Sequence, residues 1–252
     1  MLTVENISIS FGAVAALRNV SLEVKTGEVA GLIGPNGSGK TTLFNCICGY
    51  YAPSGGKVML DGREITRLPP YKVARFRVGR TFQTPTLFSE LSVMENVHLG
   101  AESMARGGAV VRGLVPSRGG ASAERTLGLL KEVGIEKYAD MNPRELPVGI
   151  AKLADLARAL ALAPHILLLD EPAAGLNDAE RTRLAVLLRR LNGRDRMTML
   201  VVDHNMGFVM SLCSQLTVLA SGQVISAGTP AAVQSDPGVI QAYLGEETDA
   251  VA

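Results

Sequence analysis

The sequence predicts an α/β fold, with a mostly parallel sheet, an antiparallel β subdomain and a helical subdomain. Three observations predict it. The apolar runs Val29–Ile33, "ILLLD" and "TMLVVD" alternate with helix-like stretches, the pattern of a parallel sheet flanked by helices. The first third is rich in period-two alternation, and the stretch between Gln83 and Leu146 is dominated by helical patterns.

Taken in order, Ile7, Ile9 and Phe11 alternate with polar residues, as do Val20, Leu22 and Val24, so both stretches read as half-buried strands. "VAGLI" (Val29–Ile33) is a fully apolar run that suits a buried strand; a Gly-rich turn and a helix from about Lys40 follow. "GKVMLDGREI" is a further strand pattern turned at Asp61-Gly62. The Gly-rich, basic segment Ala105–Glu124 reads as a surface loop or insertion. Between Ala151 and Ala161, Leu153, Leu156, Ala157, Leu160 and Ala161 recur at helical spacing, and Ala163-Pro164 stops that helix. A helix from about Asp178 to Leu191 separates the strands "ILLLD" and "TMLVVD". Two short strands near Leu216 and Val224 turn at Ser221-Gly222, and Thr229-Pro230 is a cap and first-turn pair for a closing helix. No internal repeat is visible.

The chain has 252 residues, 47% of them hydrophobic, enough for one large domain or a core with a smaller lobe. Its net charge of +1 gives no basic surface for nucleic acid. Three cysteines, Cys46, Cys48 and Cys213, make no disulfide framework and suit a reducing cytosol. Cys46 and Cys48 lack the further Cys or His residues that a metal site needs. The N-terminus carries no basic segment followed by an apolar core, so no secretory signal is expected. The richest apolar run, Leu156–Leu169, is broken by Arg158, Pro164 and His165, so no span of a bilayer is expected.

The chemistry begins at "GPNGSGKTT": Gly34, Pro35, Asn36, Gly37, Ser38, Gly39, Lys40, Thr41, Thr42. This is a G-x-x-x-x-G-K-[ST] loop, and it stands where such a loop must, between a strand and a helix. Its glycines let backbone N–H groups wrap a phosphate, and the helix start adds a positive end. Lys40 would reach the β- and γ-phosphates of ATP, and Thr41 would ligate Mg²⁺. The core is therefore expected to be that of a P-loop NTPase. The second half of the site is "ILLLDEP". The apolar run buries the strand and places Asp170 at its C-terminal end, where ligands bind in open α/β sheets. Asp170 would hold Mg²⁺ and Glu171 would polarise the attacking water. A pair of acids at a strand end can equally be a helix cap, but not readily beside a phosphate loop.

These motifs, with the segments around them, resemble the ATP-binding subunits of ABC transporters over almost the whole chain. Within that family "RLPPYKVARFRVGRTFQTPTLFSELSVMENV", "DEPAAGLN" and "AGTPAAVQSDPGVIQAYLGE" resemble the branched-chain amino-acid importer type. Urea importers and the lipopolysaccharide export ATPase are near relatives of that type. The resemblance implies that Phe11 stacks on adenine, that Gln83 senses Mg²⁺, water and the membrane partner, and that His204 contacts the γ-phosphate. It implies that Ala173–Asn177 is a dimer-contact loop, and that Leu146, Pro147, Val148, Gly149 and Ile150 form a signature segment facing a second subunit's ATP. The implied partners are a second ATPase subunit, as a homo- or heterodimer, transmembrane permeases and, indirectly, an extracytoplasmic solute-binding protein. The implied place is the cytoplasmic face of the cell membrane, as a peripheral subunit. The division implied is a core of 1–83 and 162–252 with a helical subdomain of 84–161.

The signature departs from the family's Leu-Ser-Gly-Gly-Gln. Pro147 brings neither hydroxyl nor N–H. Ile150 stands where an amide side chain is expected to order the turn, and Ala151 and Lys152 depart from the usual polar run. Asp203 and Asn205 stand where Glu and Asp are common. A working importer ATPase, an impaired regulatory subunit and a soluble P-loop enzyme are the three readings. Lys40, Asp170, Glu171 and His204 favour the first, the signature favours the second, and the absence of an N-K-x-D motif together with the Gln83 segment speaks against the third.

Overall fold

The structure, a computed structural model, describes residues 1–105 and 121–249. The alternating N-terminal pattern forms an antiparallel pair, β1 (Leu2–Phe11) and β2 (Val14–Val24). β4 (Gly55–Leu60) adds to the other edge of β1 and β5 (Arg63–Glu64) to β4, giving a sheet ordered β2-β1-β4-β5. The β4–β5 turn at Asp61 and Gly62 has positive φ at both residues, the two-residue hairpin geometry that matches strand twist.

The second sheet is ordered β10-β9-β3-β8-β7-β6, from β3 (Val29–Ile33), β6 (Val78–Arg80), β7 (Ile166–Asp170), β8 (Thr198–Val202), β9 (Gln215–Ala220) and β10 (Gln223–Gly228). All neighbours are parallel except β10 on β9. Every residue of β3, β7 and β8 is buried, which is why those strands read as unbroken apolar runs. Alternate side chains serve two cores. Ala30, Leu32, Ile166, Leu168, Leu200 and Val202 face a cluster shared with the antiparallel sheet and with α1 (Lys40–Ile47). Val29, Ile33, Leu167, Leu169, Met199 and Val201 face the helices on the other side.

Those helices include α5 (Val148–Ala161), α6 (Asp178–Asp195) and α7 (Met206–Leu212). α3 (Val93–Ala105) and α4 (Ala121–Val133) pack on α5 and on each other. α5 begins earlier than its apolar spacing implies, because extended Pro147 serves as N-cap and places Val148 at the first helical position. α6 runs past Leu191 to Asp195, where Arg196 ends it in the left-handed region. The closing helix is two: α8 (Pro230–Gln234), capped by the Thr229 hydroxyl, and α9 (Pro237–Asp249). The short α2 (Pro70–Arg75) and β6 were not expected. Of the Gly-rich segment, Ala105 ends α3 and Ala121–Glu124 open α4; residues 106–120 lie outside the described residues. Cys46, Cys48 and Cys213 are buried and free, and burial pushes their thiols up to about 11, 11 and 12. No helix among the described residues is long and apolar enough to cross a membrane.

Candidate functional site

The loop Gly34–Thr42 leaves the end of β3 and enters α1. Gly34 cannot be another residue: its φ is +146°, and a Cβ there would lie 1.9 Å from the Leu219 carbonyl oxygen. Gly39, the N-cap at φ 105°, is pressed against Ala16 and Leu17 of β2. Asn36 and Gly37 are exposed at the crest, Pro35 is half-buried and Ser38 is buried beneath it. The Lys40 ammonium donates to the Gly34 and Pro35 carbonyls at 2.7 and 2.6 Å and to Ser38 Oγ at 3.3 Å, so its charge sits inside the loop's curl. Thr41 is exposed and Thr42 half-buried on the first turn of α1, where no side chain caps the helix and the first backbone N–H groups remain available to an anion.

Asp170 and Glu171 stand at the end of β7. Glu171 has a φ of +47°, strained for a residue with a Cβ. Its N–H donates to the Val202 carbonyl at 2.8 Å, which ties it to β8. The side chain gathers two of the expected residues. Gln83 Nε2 donates to Glu171 Oε2 at 2.8 Å, and His204 Nδ1 lies 3.7 Å from the same oxygen. Three segments far apart in sequence thus meet at one carboxylate.

Arg80 is a member of the site that sequence reasoning missed. Its guanidinium donates to Asp170 Oδ2 at 2.8 Å and to Asn45 Oδ1 at 2.7 Å, and lies over the rings of Phe44, Tyr50 and Phe82. Both charges are buried, so each needs the other. β6 is only three residues long, and a lone Arg in it carries no sequence signal. The segment around Gln83 is also held from α5: buried Asp155 accepts from the Phe82 N–H at 3.1 Å, and Arg158 donates to Asp155 at 2.6 Å and to the Thr86 carbonyl at 2.5 Å. Burial raises the Asp155 carboxyl above its ordinary value, and Arg158 opposes that shift.

Phe11 stands apart. It is exposed at the end of β1, edge-on to Tyr51 at 5.2 Å, and among the described residues no hydrogen bond or ring contact joins it to the phosphate loop. The signature segment is also separate. Leu146 and Pro147 lead into α5, whose N-terminus has no side-chain cap, and Val148 is exposed. The N–H groups of Val148, Gly149 and Ile150 are therefore the first-turn donors that the helix itself leaves unpaired. Ile150 does not reach outward. It is half-buried against the core and, with Gly149, Leu176 and Leu187, lines a cavity of about 420 Å³. A Cβ on Gly149 would lie 3.1 Å from the Glu180 carboxylate of the same chain. Asn177, at the end of the expected dimer-contact loop, forms a capping box with Glu180 on α6. Asn205 likewise caps α7 by accepting from the Phe208 N–H at 2.9 Å, a task Asn and Asp perform equally. Asp203 is buried and accepts from the Ala173 and Asn205 N–H groups.

The ABC transporter family model matches residues 17–174, more than half of the chain, and covers the phosphate loop, the signature and the acidic strand end. The chain belongs to the ABC transporter family. A second model, of branched-chain amino acid ATP-binding cassette transporters, matches residues 223–249 of this ABC protein. BraF of Pseudomonas aeruginosa, a high-affinity branched-chain amino acid transport ATP-binding protein, is 38% identical over 98% of both chains. The protein of the same description from Escherichia coli K12, LivG, is 38% identical over 98% of both. The lipopolysaccharide export ATP-binding protein LptB of Acidithiobacillus ferridurans is 34% identical over 98% of both. Among solved structures, the ADP conformation of MJ1267, an ATP-binding cassette of an ABC transporter, superposes with a TM-score of 0.87 at 30% identity, covering 97% of this chain and 98% of that one. A dimeric post-hydrolysis cassette, MJ0796 bound to ADP and phosphate, has a TM-score of 0.79 at 28% identity, covering 91% and 99%.

Proposed function

We propose that this ABC protein is the ATP-binding and hydrolysing subunit of an importer for branched-chain amino acids, working at the cytoplasmic face of the membrane beneath permease partners. The observation that carries the reading is the meeting of Gln83 and His204 on Glu171, next to a complete phosphate loop, in a chain akin to BraF and LivG.

In this reading Gly34–Thr42 cradles the phosphates of ATP, with Lys40 turning from its own carbonyls to the β- and γ-phosphates. Phe11, with Tyr51 beside it, would stack on adenine. Thr41, Asp170 and Gln83 would hold Mg²⁺. Their donors are all oxygens, and among the described residues no group of three or more His, Cys, Asp or Glu is placed to hold a metal ion by itself. That sparse hard-oxygen set suits an ion that takes its remaining ligands from phosphate and water. Bound there, Mg²⁺ would neutralise phosphate charge. Glu171 orients a water toward the γ-phosphorus and takes up its proton as the bond to ADP breaks, while His204 steadies the γ-phosphate.

The chain divides on this reading into a core of 1–83 and 162–252 and a helical arm of 84–161. The arm carries Leu146–Ile150 to a second ATPase subunit, the same chain or a paralogue. The uncapped start of α5 and exposed Val148 support that use, and the dimeric cassette supports the pairing. A solute-binding protein outside the membrane would act only through the permeases, and nucleic acid has no part. An impaired regulatory role has only the altered signature in its favour. In vesicles holding the permeases and both ATPase subunits, uptake of leucine, isoleucine or valine should require ATP and be lost with Lys40→Ala. Uptake of none of them, with ATP hydrolysis intact, would reject the proposed solute class.

A further inference from the structure

Lys152 lies on α5 three positions past Gly149, so it moves with the segment proposed to face another subunit's ATP. Its side chain reaches the end of β7. The ammonium donates to the backbone carbonyl of Glu171 at 2.6 Å, and is half-buried. Burial pushes the Lys152 ammonium below its ordinary value, and the nearby carboxylates of Asp203, Glu171, Asp155 and Asp170 oppose that shift.

The carbonyl it grips belongs to the one strained residue of the site. A left-handed conformation costs a side-chain-bearing residue about 1–3 kcal/mol and persists only where its surroundings enforce it. Among the described residues, three contacts hold the Glu171 backbone: its N–H on Val202 of β8, its carbonyl accepting from Ala174 at 3.2 Å in the following turn, and the same carbonyl accepting from Lys152. The first two belong to the sheet and to the turn itself. Only Lys152 comes from α5. A bond to a charged donor is stronger than a neutral one and depends on distance and direction, so a shift of α5 by a fraction of an ångström alters the grip.

We infer that Lys152 is a positioning residue that couples the placement of the signature helix to the conformation of Glu171 within one chain. Engagement of Leu146–Ile150 by the partner's nucleotide would then set the geometry of this chain's own base. The long, charged Lys152 side chain spans from helix to strand end. The inference rests on the reading of Glu171 as the residue that orients water.

The test uses the transporter assembled with its permeases and second ATPase subunit. Lys152→Met should lower the ATP turnover number about tenfold or more, since small misplacements of a reacting group are that costly, while KM for ATP changes less than about twofold. In a Glu171→Gln background the same substitution should lower the residual turnover by less than about twofold, because the group it positions no longer takes a proton. Thermal unfolding of the isolated chain separates this from a loss of fold. If Lys152→Met unfolds it, Lys152→Gln, which keeps a polar end without the charge or reach, carries the same expectation. Unchanged turnover in the folded variant, or an equal loss in both backgrounds, would overturn the inference. If Glu171→Gln itself leaves turnover intact, the reading of Glu171 fails instead, and the two failures are distinct.

Discussion

Gly34 and Arg80 illustrate two ways in which single residues decide this site. At Gly34 the backbone takes a φ of +146° with no room for a Cβ against the Leu219 carbonyl. Gly34→Ala should therefore cost at least about 3 kcal/mol in urea unfolding and abolish nucleotide binding, because the loop must move to accommodate the methyl group. An unchanged unfolding midpoint would contradict the close approach. Arg80 neutralises Asp170 where both side chains are largely buried. Arg80→Met should cost about 3–5 kcal/mol, the penalty of leaving a buried carboxylate unpaired, and a loss under 1 kcal/mol would mean that solvent reaches Asp170. The two differ in legibility. Gly34 is announced by a motif whose spacing exists to let backbone approach phosphate. Arg80 sits in a three-residue strand, and its partners Asn45 and Asp170 are distant in sequence, so no local pattern marks it.

At the scale of elements, the buried strands β3, β7 and β8 were readable because both faces are covered and nearly every position is apolar, Asp170 and Thr198 standing at strand ends. α2 and β6 were not, since six and three residues are too few for a period to repeat. α5 is the instructive case. Its spacing was visible from Ala151 onward, but Pro147, Val148 and Gly149 hide its first turn. That turn matters most, because the helix start supplies backbone donors that do not depend on the altered side chains. Ile150 then makes sense as a core residue rather than a failed ligand. Ile150→Gln should lower stability by about 1–2 kcal/mol, the cost of placing an amide in an apolar site, and lower Tm by a few degrees. A Tm that holds or rises would show that the inward packing contributes nothing.

At the scale of the whole molecule, the proposed reading puts two halves of different ATP sites on one chain. The phosphate loop, Asp170 and the Glu171 cluster line the C-terminal ends of the parallel strands, while the signature stands on a separate helix tied to them through Asp155, Arg158 and Lys152. Sequence motifs marked the segments proposed as the two halves, and the resemblance named the family. What no motif contained is the wiring between them, since it runs through side chains on α5 whose partners are backbone groups. The central claim is that this chain's own site is catalytic despite the altered signature, which serves the other site. Turnover of ATP by the assembled transporter carrying Glu171→Gln in this chain tests it most directly. The account predicts a fall of about a hundredfold or more at this site with ATP binding retained, the usual scale for losing a general base. Turnover equal to that of the unaltered transporter would contradict it.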